Sequence, residues 1–153
     1  MSEAAGRAIS FLVGRGHDGA AATVLIRLAV GLIFLTQGVL KYTDPKMGVI
    51  RFAHIGFPQP SLTAHFVGTV EVVCGALVVL GLFTRLAAVP LLAVISTAIA
   101  TTKIPELFQA SQGFWFMVSD ARTDFAMLCS LVFLLTVGGG PWSLDAPRAG
   151  PER

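Results

Sequence analysis

Apolar residues are concentrated in four long blocks, which polar and turn-forming segments separate along the chain. Each block comes close to the roughly 17 to 25 residues that a helix needs to cross a bilayer. The sequence GGGP follows the last block and is a strong signal for the end of a helix. The pattern predicts an all-α integral membrane protein, a four-helix bundle with short interfacial segments. The predicted spans are residues 22–40, 64–82, 86–102 and 123–139.

The segments outside the blocks are too short for a separate soluble domain. We expect an N-terminal tail over residues 1–21, a four-helix domain over residues 22–140 and a C-terminal tail over residues 141–153. The first block is longer than the apolar part of a signal peptide and lacks a small-residue cleavage site. We therefore expect it to remain in the membrane as an anchor.

The connections between the blocks predict how the chain crosses the membrane. The second connection, FTR, is so short that its flanking helices must form an antiparallel hairpin. The first connection, residues 41–63, holds a short segment that suits the membrane interface, and the third, residues 103–122, is rich in aromatic residues typical of the headgroup region. Lysines and arginines outside the spans divide equally between the two sides. Arg27, near the start of its span, favours cytoplasmic termini and places these two connections outside.

The composition supports a chain that faces lipid over most of its surface. Of its 153 residues, 54% are hydrophobic and only 13% are charged. The mean hydropathy of +0.76 lies beyond what an ordinary globular surface tolerates. A net charge of +2 is too small to indicate nucleic acid as a partner. We expect a multi-pass protein of the bacterial inner membrane whose main partner is the lipid bilayer.

Cysteine and histidine do not point to a metal site. Cys74 and Cys129 lie inside apolar blocks without a CxxC motif, so packing is their expected role and a redox pair is less favoured. His54 and His65 lie in or beside the first connection instead of mid-span on facing helices. Neither metal binding nor haem ligation is therefore indicated.

Small residues predict which helix faces meet. In the first block, Arg27 and Lys41 share one helical stripe with two glycines, and in the second block Glu71 lies between two more. Glycine lets helices approach closely in lipid, where packing drives association. We expect these two faces to meet, and we expect the glycines beside Glu71 to leave room for a ligand. The residues predicted to allow close helix packing are Gly31, Gly38, Gly68 and Gly75.

Ionisable groups within apolar blocks are the candidate functional residues, because they are costly in lipid and usually mark sites. By depth and side-chain direction, Lys41 is the better partner for Glu71, although Arg27 is long enough to reach it. Asp124 opens the fourth block on the Lys41 side, either as a helix N-cap or as a third member of the cluster. The alternatives are that Glu71 is paired or protonated and only fixes helix register, and that the cations reach to the headgroups. The candidate ligand-binding or buried charge cluster is Lys41, Glu71, Asp124 and Arg27.

Three pieces of the chain resemble the DoxX family of small bacterial membrane proteins: RLAVGLIFLTQGVLK, EVVCGALVVLGLFTRLAA and the closing GGGPWSLD. The resemblance extends over residues 24–145. It implies a four-helix inner-membrane protein tied to quinone-linked redox chemistry, in a thiosulfate-oxidising quinone reductase or a complex that counters oxidative stress. The chain lacks the vicinal cysteines of related dithiol proteins, which argues against direct thiol oxidation. The matching recurrent positions are Arg27, Gly31, Gly38, Lys41, Glu71, Gly81 and Arg85.

Three functions follow from these observations. The first is an oxidoreductase subunit without independent activity, which binds a quinone or a small hydrophobic ligand between spans one, two and four. Lys41 and Glu71 would hold the polar head, and other redox subunits would be partners. The second is a non-catalytic scaffold or assembly partner whose buried charges only fix the bundle. The third is a small-solute transporter, which is less favoured because no internal repeat or broken helix is evident.

Overall fold

A computed structural model describes residues 21–108 and 113–146 of the chain. Within these ranges the protein is built from helices and turns, without β-strands. A π-helical turn, Ile99–Lys103, continues the fourth helix into the fifth. The helices are α1 (Thr23–Thr43), α2 (Val49–Ile55), α3 (Pro60–Leu80), α4 (Thr84–Ala98), α5 (Ile104–Leu107) and α6 (Gly113–Val137).

The structure confirms the all-α fold, and three of the four predicted membrane spans correspond to candidate spans. These are α1, α3 and the continuous segment Thr84–Lys103, each long and apolar enough to cross a bilayer. The sixth helix is longer, at 25 residues, but it carries Asp120, Arg122 and Asp124. This charged region distinguishes α6 from the three candidate spans.

Two helices begin before the predicted membrane spans that they overlap. Helix α3 begins at Pro60 instead of residue 64, because proline suits the first turn of a helix. Helix α6 begins at Gly113 instead of residue 123, since no glycine or proline interrupts residues 114–137. Asp124 therefore lies well inside a helix and is not its N-cap.

The four long helices pack around a core at the end where the α3–α4 hairpin lies. Helix α1 packs most extensively on α3, while α4 packs on both α3 and α6. Helix α2 packs on α3 at the opposite end. A group of polar side chains lies at the end of the bundle away from the hairpin, where α2 packs. The most buried side chains of the core include Val30, Val78, Leu91, Leu131 and Leu134.

Two glycine pairs bring the backbones of α1 and α3 into direct contact. A Cβ atom on Gly31 would lie 2.8 Å from the carbonyl oxygen of Gly75, and one on Gly38 would lie 2.8 Å from that of Gly68. Real Cβ atoms do not approach oxygen so closely, so only glycine fits at these crossings. The expected ligand space beside Glu71 is therefore absent at these glycines, because the backbone of α1 fills it.

The segment after α6 folds back over the α3–α4 hairpin. Gly138 and Gly140 have φ angles of 87° and 74°, which reverse the chain. The backbone N–H of Asp145 then donates to the carbonyl of Gly81 at 3.1 Å. Residues 141–146, predicted as part of a tail, thus belong to the packed structure. The tail segments 1–20 and 147–153 lie outside the described residues.

Candidate functional site

A buried ion pair joins α1 to α3 just beyond the glycine contacts. Lys41 Nζ donates a hydrogen bond to Glu71 Oε2 at 2.5 Å. The Lys41 and Glu71 side chains are only 12% and 5% exposed. Gly38 and Gly68 let the two helices approach closely. Lys41 and Glu71 each lie about one turn after one of these glycines on the same helix face, so their side chains meet. Each charge thus has a partner of opposite sign at a depth where water is scarce.

A cavity of about 480 Å³ lies beside this pair, in the end of the bundle away from the hairpin. All four long helices contribute to its walls, and α2 covers it through Arg51, Phe52 and Ile55. Its volume falls in the range of small-molecule sites, which are about 300 to 1,000 Å³. The wall is largely apolar with a few polar groups, as such sites usually are. Its large apolar side chains include Phe34, Phe52, Phe57, Phe66, Ile95 and Met127.

A second group of charges lines the same cavity where α4 approaches α6. Lys103, in the π-helical turn, forms an ion pair with Asp120, and its Nζ lies 4.0 Å from Asp124 Oδ2. Asp124 therefore shares the cavity with Lys41 and Glu71, but its ion-pair partner is Lys103. The three predicted residues line one cavity as parts of two separate charge groups.

The site contains groups that the sequence pattern alone did not identify. Gln37 lines the cavity one helical turn before Lys41, and this spacing was a usable signal. Arg51 and Phe52 also line it, and the grouping of residues 51, 52 and 55 on one helical face was a weaker signal. Thr102 lines it from the π-helical turn, which no composition rule predicts. Such turns recur at functional sites.

The structure places Arg27 away from this cavity, so its assignment to the charge cluster is wrong. Its Nη1 donates to the carbonyl of Gly139 at 2.7 Å, and its Nη2 donates to those of Trp142 at 3.0 Å and Val79 at 3.3 Å. The side chain leans toward the N-terminus of α1, away from Glu71. There it meets carbonyls at the ends of α3 and α6, which lack helical partners.

No metal or thiol centre is present among the residues that the structure describes. No group of three or more His, Cys, Asp or Glu side chains comes together there. Cys74 and Cys129 are both free thiols, and Cys129 is exposed on the outer face of α6. His65 lies near the start of α3, where its ring meets that of Tyr42 edge-on, with 5.2 Å between the ring centroids.

Comparison with known proteins agrees with a membrane protein of this kind. The model of the DoxX family matches residues 22–104. Over 133 residues the chain is 48% identical to "Uncharacterized membrane protein Rv3486" of Mycobacterium tuberculosis. This alignment covers 84% of the present chain and 82% of the relative. Over 123 residues it is 28% identical to "Putative oxidoreductase CatD" of Bacillus subtilis, in an alignment that covers 80% of this chain and 84% of that relative. No solved structure matches the chain.

Proposed function

Because this chain belongs to the DoxX family, we propose that it acts in the membrane as the ligand-binding subunit of a quinone-linked redox system. The observation that carries the proposal is the cavity of about 480 Å³ beside the buried Lys41–Glu71 pair. A purely structural ion pair does not require such a cavity. The similarity to a protein named as an oxidoreductase supports the same direction.

The residues of the cavity fit a quinone-type ligand. Such a ligand has carbonyl oxygens that accept hydrogen bonds at the edge of a flat apolar ring. Lys41, Gln37 and Arg51 supply donors on the cavity wall, and Phe34 and Met127 supply apolar surface. Gln37 and Arg51 make no side-chain hydrogen bond to another described residue, so their donors remain available to a ligand. This combination selects a ligand that is apolar in body and polar at one end.

Each of these residues has a distinct part in the proposed mechanism. A bound quinone supplies reversible redox chemistry that is coupled to the uptake and release of protons. Lys41 orients the polar head by donating a hydrogen bond, and Glu71 fixes the position of the Lys41 ammonium. When the head is in its reduced, quinol form, the Glu71 carboxylate would be placed to accept one of its hydroxyl protons as a general base, while the electrons pass to a partner subunit. Helix α2 shields the cavity from the aqueous side, and other redox subunits exchange the electrons.

We also propose that α6 forms a fourth membrane span and completes a four-helix bundle. Its charged region does not prevent crossing, because Asp120 and Asp124 both face Lys103 in the cavity wall, and the exposed Arg122 lies just before the predicted span 123–139. Charged residues in membranes usually face the bundle interior in this way. An even number of spans places both chain ends on one side of the bacterial inner membrane, the cytoplasmic side by our interpretation of Arg27.

Cysteine labelling tests this topology. In a background where Cys74 and Cys129 are replaced by alanine, Ser61→Cys is expected to react with an impermeant maleimide in intact cells, since Ser61 is exposed at the start of α3. Phe83→Cys, in the exposed α3–α4 hairpin, is the matched control and should react only after lysis. The reverse pattern would contradict cytoplasmic termini.

A ligand titration tests the proposed function. A short-chain benzoquinone is expected to raise the Tm of the purified protein, because a ligand bound only by the native state stabilises it by RT ln(1 + [L]/Kd), about 2.7 kcal/mol at 100 times Kd. Ala98→Phe fills part of the cavity and should weaken this stabilisation. Ala100→Phe is the matched control, since Ala100 is exposed and does not line the cavity.

Two negative results together would overturn the proposal. These are the lack of any stabilisation at soluble quinone concentrations and the lack of any lipophilic redox compound that co-purifies from native membranes. The function of a non-catalytic scaffold would then explain the buried charges better.

A further inference from the structure

The cavity opens at the side of the bundle between α3 and α4. Phe66 is 67% exposed on the surface of α3 and also lines the cavity. Ala93 and Thr97, on α4, are likewise exposed and line the cavity. A side chain that meets both the interior of a cavity and the outer surface lies at its mouth.

This mouth faces the hydrocarbon region of the bilayer. At 1.5 Å per residue, Phe66 lies about 9 Å along α3 from Pro60. Helix α3 has the length of a complete span. With the whole of α3 as a span, Phe66 lies inside the membrane boundary at that end of the helix, among the acyl chains.

The surface of the mouth suits a hydrocarbon chain. The hydroxyl of Thr97 donates to the carbonyl of Ala93 at 2.8 Å, and that of Thr63 donates to the carbonyl of Gln59 at 3.2 Å. Each threonine thus satisfies its hydroxyl within its own helix and leaves its methyl group for contact. An apolar chain can lie here without leaving a polar group unpaired.

The opposite seam, between α1 and α6, is more polar. Exposed residues line the cavity here too, Ile33 from α1 and Thr123 from α6, but Gln37 and Asp124 line it from the same two helices. An apolar chain that passed there would remove an amide and a carboxylate from their polar surroundings, which is costly. The α3–α4 seam is therefore the better route for a hydrocarbon chain.

We infer that the ligand of this site is a membrane-dissolved compound with a long hydrocarbon tail, which leaves the cavity past Phe66 between α3 and α4. This inference rests on the proposed function, and it adds the class of ligand and its path. The cavity has room for a ring-sized head beside Lys41 and Glu71, whereas a head that carries a polyprenyl chain of several isoprene units exceeds about 480 Å³. The mouth lets the tail remain in lipid, so the ligand enters sideways from the bilayer.

The test compares two benzoquinones with the same ring, one with a methyl and one with a decyl tail, in lipid nanodiscs. Affinities are expressed as mole fractions in the lipid. Because the decyl tail stays in lipid in both free and bound states, the two affinities in the parent protein should agree within about threefold. Ala93→Trp places an indole in the mouth, and it should weaken decyl binding at least about tenfold while methyl binding changes less than about threefold.

The methyl compound reports whether the Ala93→Trp variant remains folded. Ala126→Trp is the matched control, because Ala126 is exposed on α6 and does not line the cavity. It should leave both affinities unchanged. If Ala93→Trp weakens the binding of both compounds equally, or of neither, the tail path is overturned and the proposed function is unaffected. If the parent protein binds neither compound, the proposed function and the inference both fail.

A photoreactive diazirine at the end of the decyl tail gives a second, independent readout in the parent protein. Cross-links are expected to lipid and to the outer faces of α3 and α4 near Phe66 and Thr97. Cross-links to Ile33 or Thr123 would assign the tail to the α1–α6 seam and overturn the inference. Cross-links confined to Phe34 or Met127, deep in the cavity, would also overturn it.

Discussion

Glu71→Gln and Lys41→Met will each lower the stability of the protein in detergent more than the double variant does. Both side chains are buried and share a hydrogen bond of 2.5 Å, so removing one partner leaves the other as an uncompensated charge or an unpaired donor. Breaking such a pair typically costs about 3 to 5 kcal/mol, whereas replacing both partners is often far milder. A double-mutant cycle in thermal or denaturant unfolding measures the coupling.

The Lys103–Asp120 pair supplies a matched control in the same cavity. The Asp120 side chain is 43% exposed, and when its charge is removed Lys103 Nζ still lies 4.0 Å from Asp124 Oδ2, so the ammonium keeps a group of opposite charge nearby. Exposed pairs contribute about 0 to 1 kcal/mol, and Asp120→Asn should therefore have a small effect on stability. Strictly additive effects of Glu71→Gln and Lys41→Met would show that the buried pair is not coupled.

Arg27→Met is expected to lower stability by about 3 kcal/mol or more and to release the closing segment, residues 138–146. The guanidinium donates hydrogen bonds to three carbonyl oxygens, and a buried acceptor left without a partner costs about 1 to 3 kcal/mol. Two of these carbonyls, on Gly139 and Trp142, belong to the closing segment. Amide hydrogen exchange over residues 138–146 should therefore be faster in Arg27→Met than in the parent protein.

Arg122→Met is the control for the loss of an arginine from the bundle. Arg122 is exposed, and its Nη1 bonds only with Ser119 on the same helix among the described residues. Its replacement should change stability by less than about 0.5 kcal/mol. Unchanged hydrogen exchange of the closing segment in Arg27→Met would show that the guanidinium does not hold this segment in place.

The contact between α1 and α3 could be predicted because its signals are local. The seven-residue spacing of Gly31 and Gly38, matched by Gly68 and Gly75, marks one narrow face on each helix. A rise of 1.5 Å per residue then places Lys41 and Glu71 at similar depth. These quantities depend only on position within one helix, so a single sequence contains them.

The position of Arg27 depends on backbone carbonyls that no pattern of side chains reveals. Its three acceptors come from two distant segments, and they become available only where a helix ends and the chain turns. The start of α6 was missed for a related reason. Hydropathy marks where a helix meets lipid, whereas Gly113 marks where helical geometry begins. The position of α2 over the cavity could not be predicted either, because a helix of seven residues carries too little sequence pattern to show what it packs against.

The bonds of Arg27 have a consequence for the biosynthesis of the protein. Ribosomes make α1 first, so its arginine enters the membrane well before Gly139 and Trp142 exist. During this interval the guanidinium needs other acceptors, and its place near the start of α1 lets it reach lipid phosphates and water at the surface. It exchanges these for protein carbonyls only when the segment after α6 has been made and has folded back. Among the described helices, the last to be translated therefore completes the burial of a charge that belongs to the first.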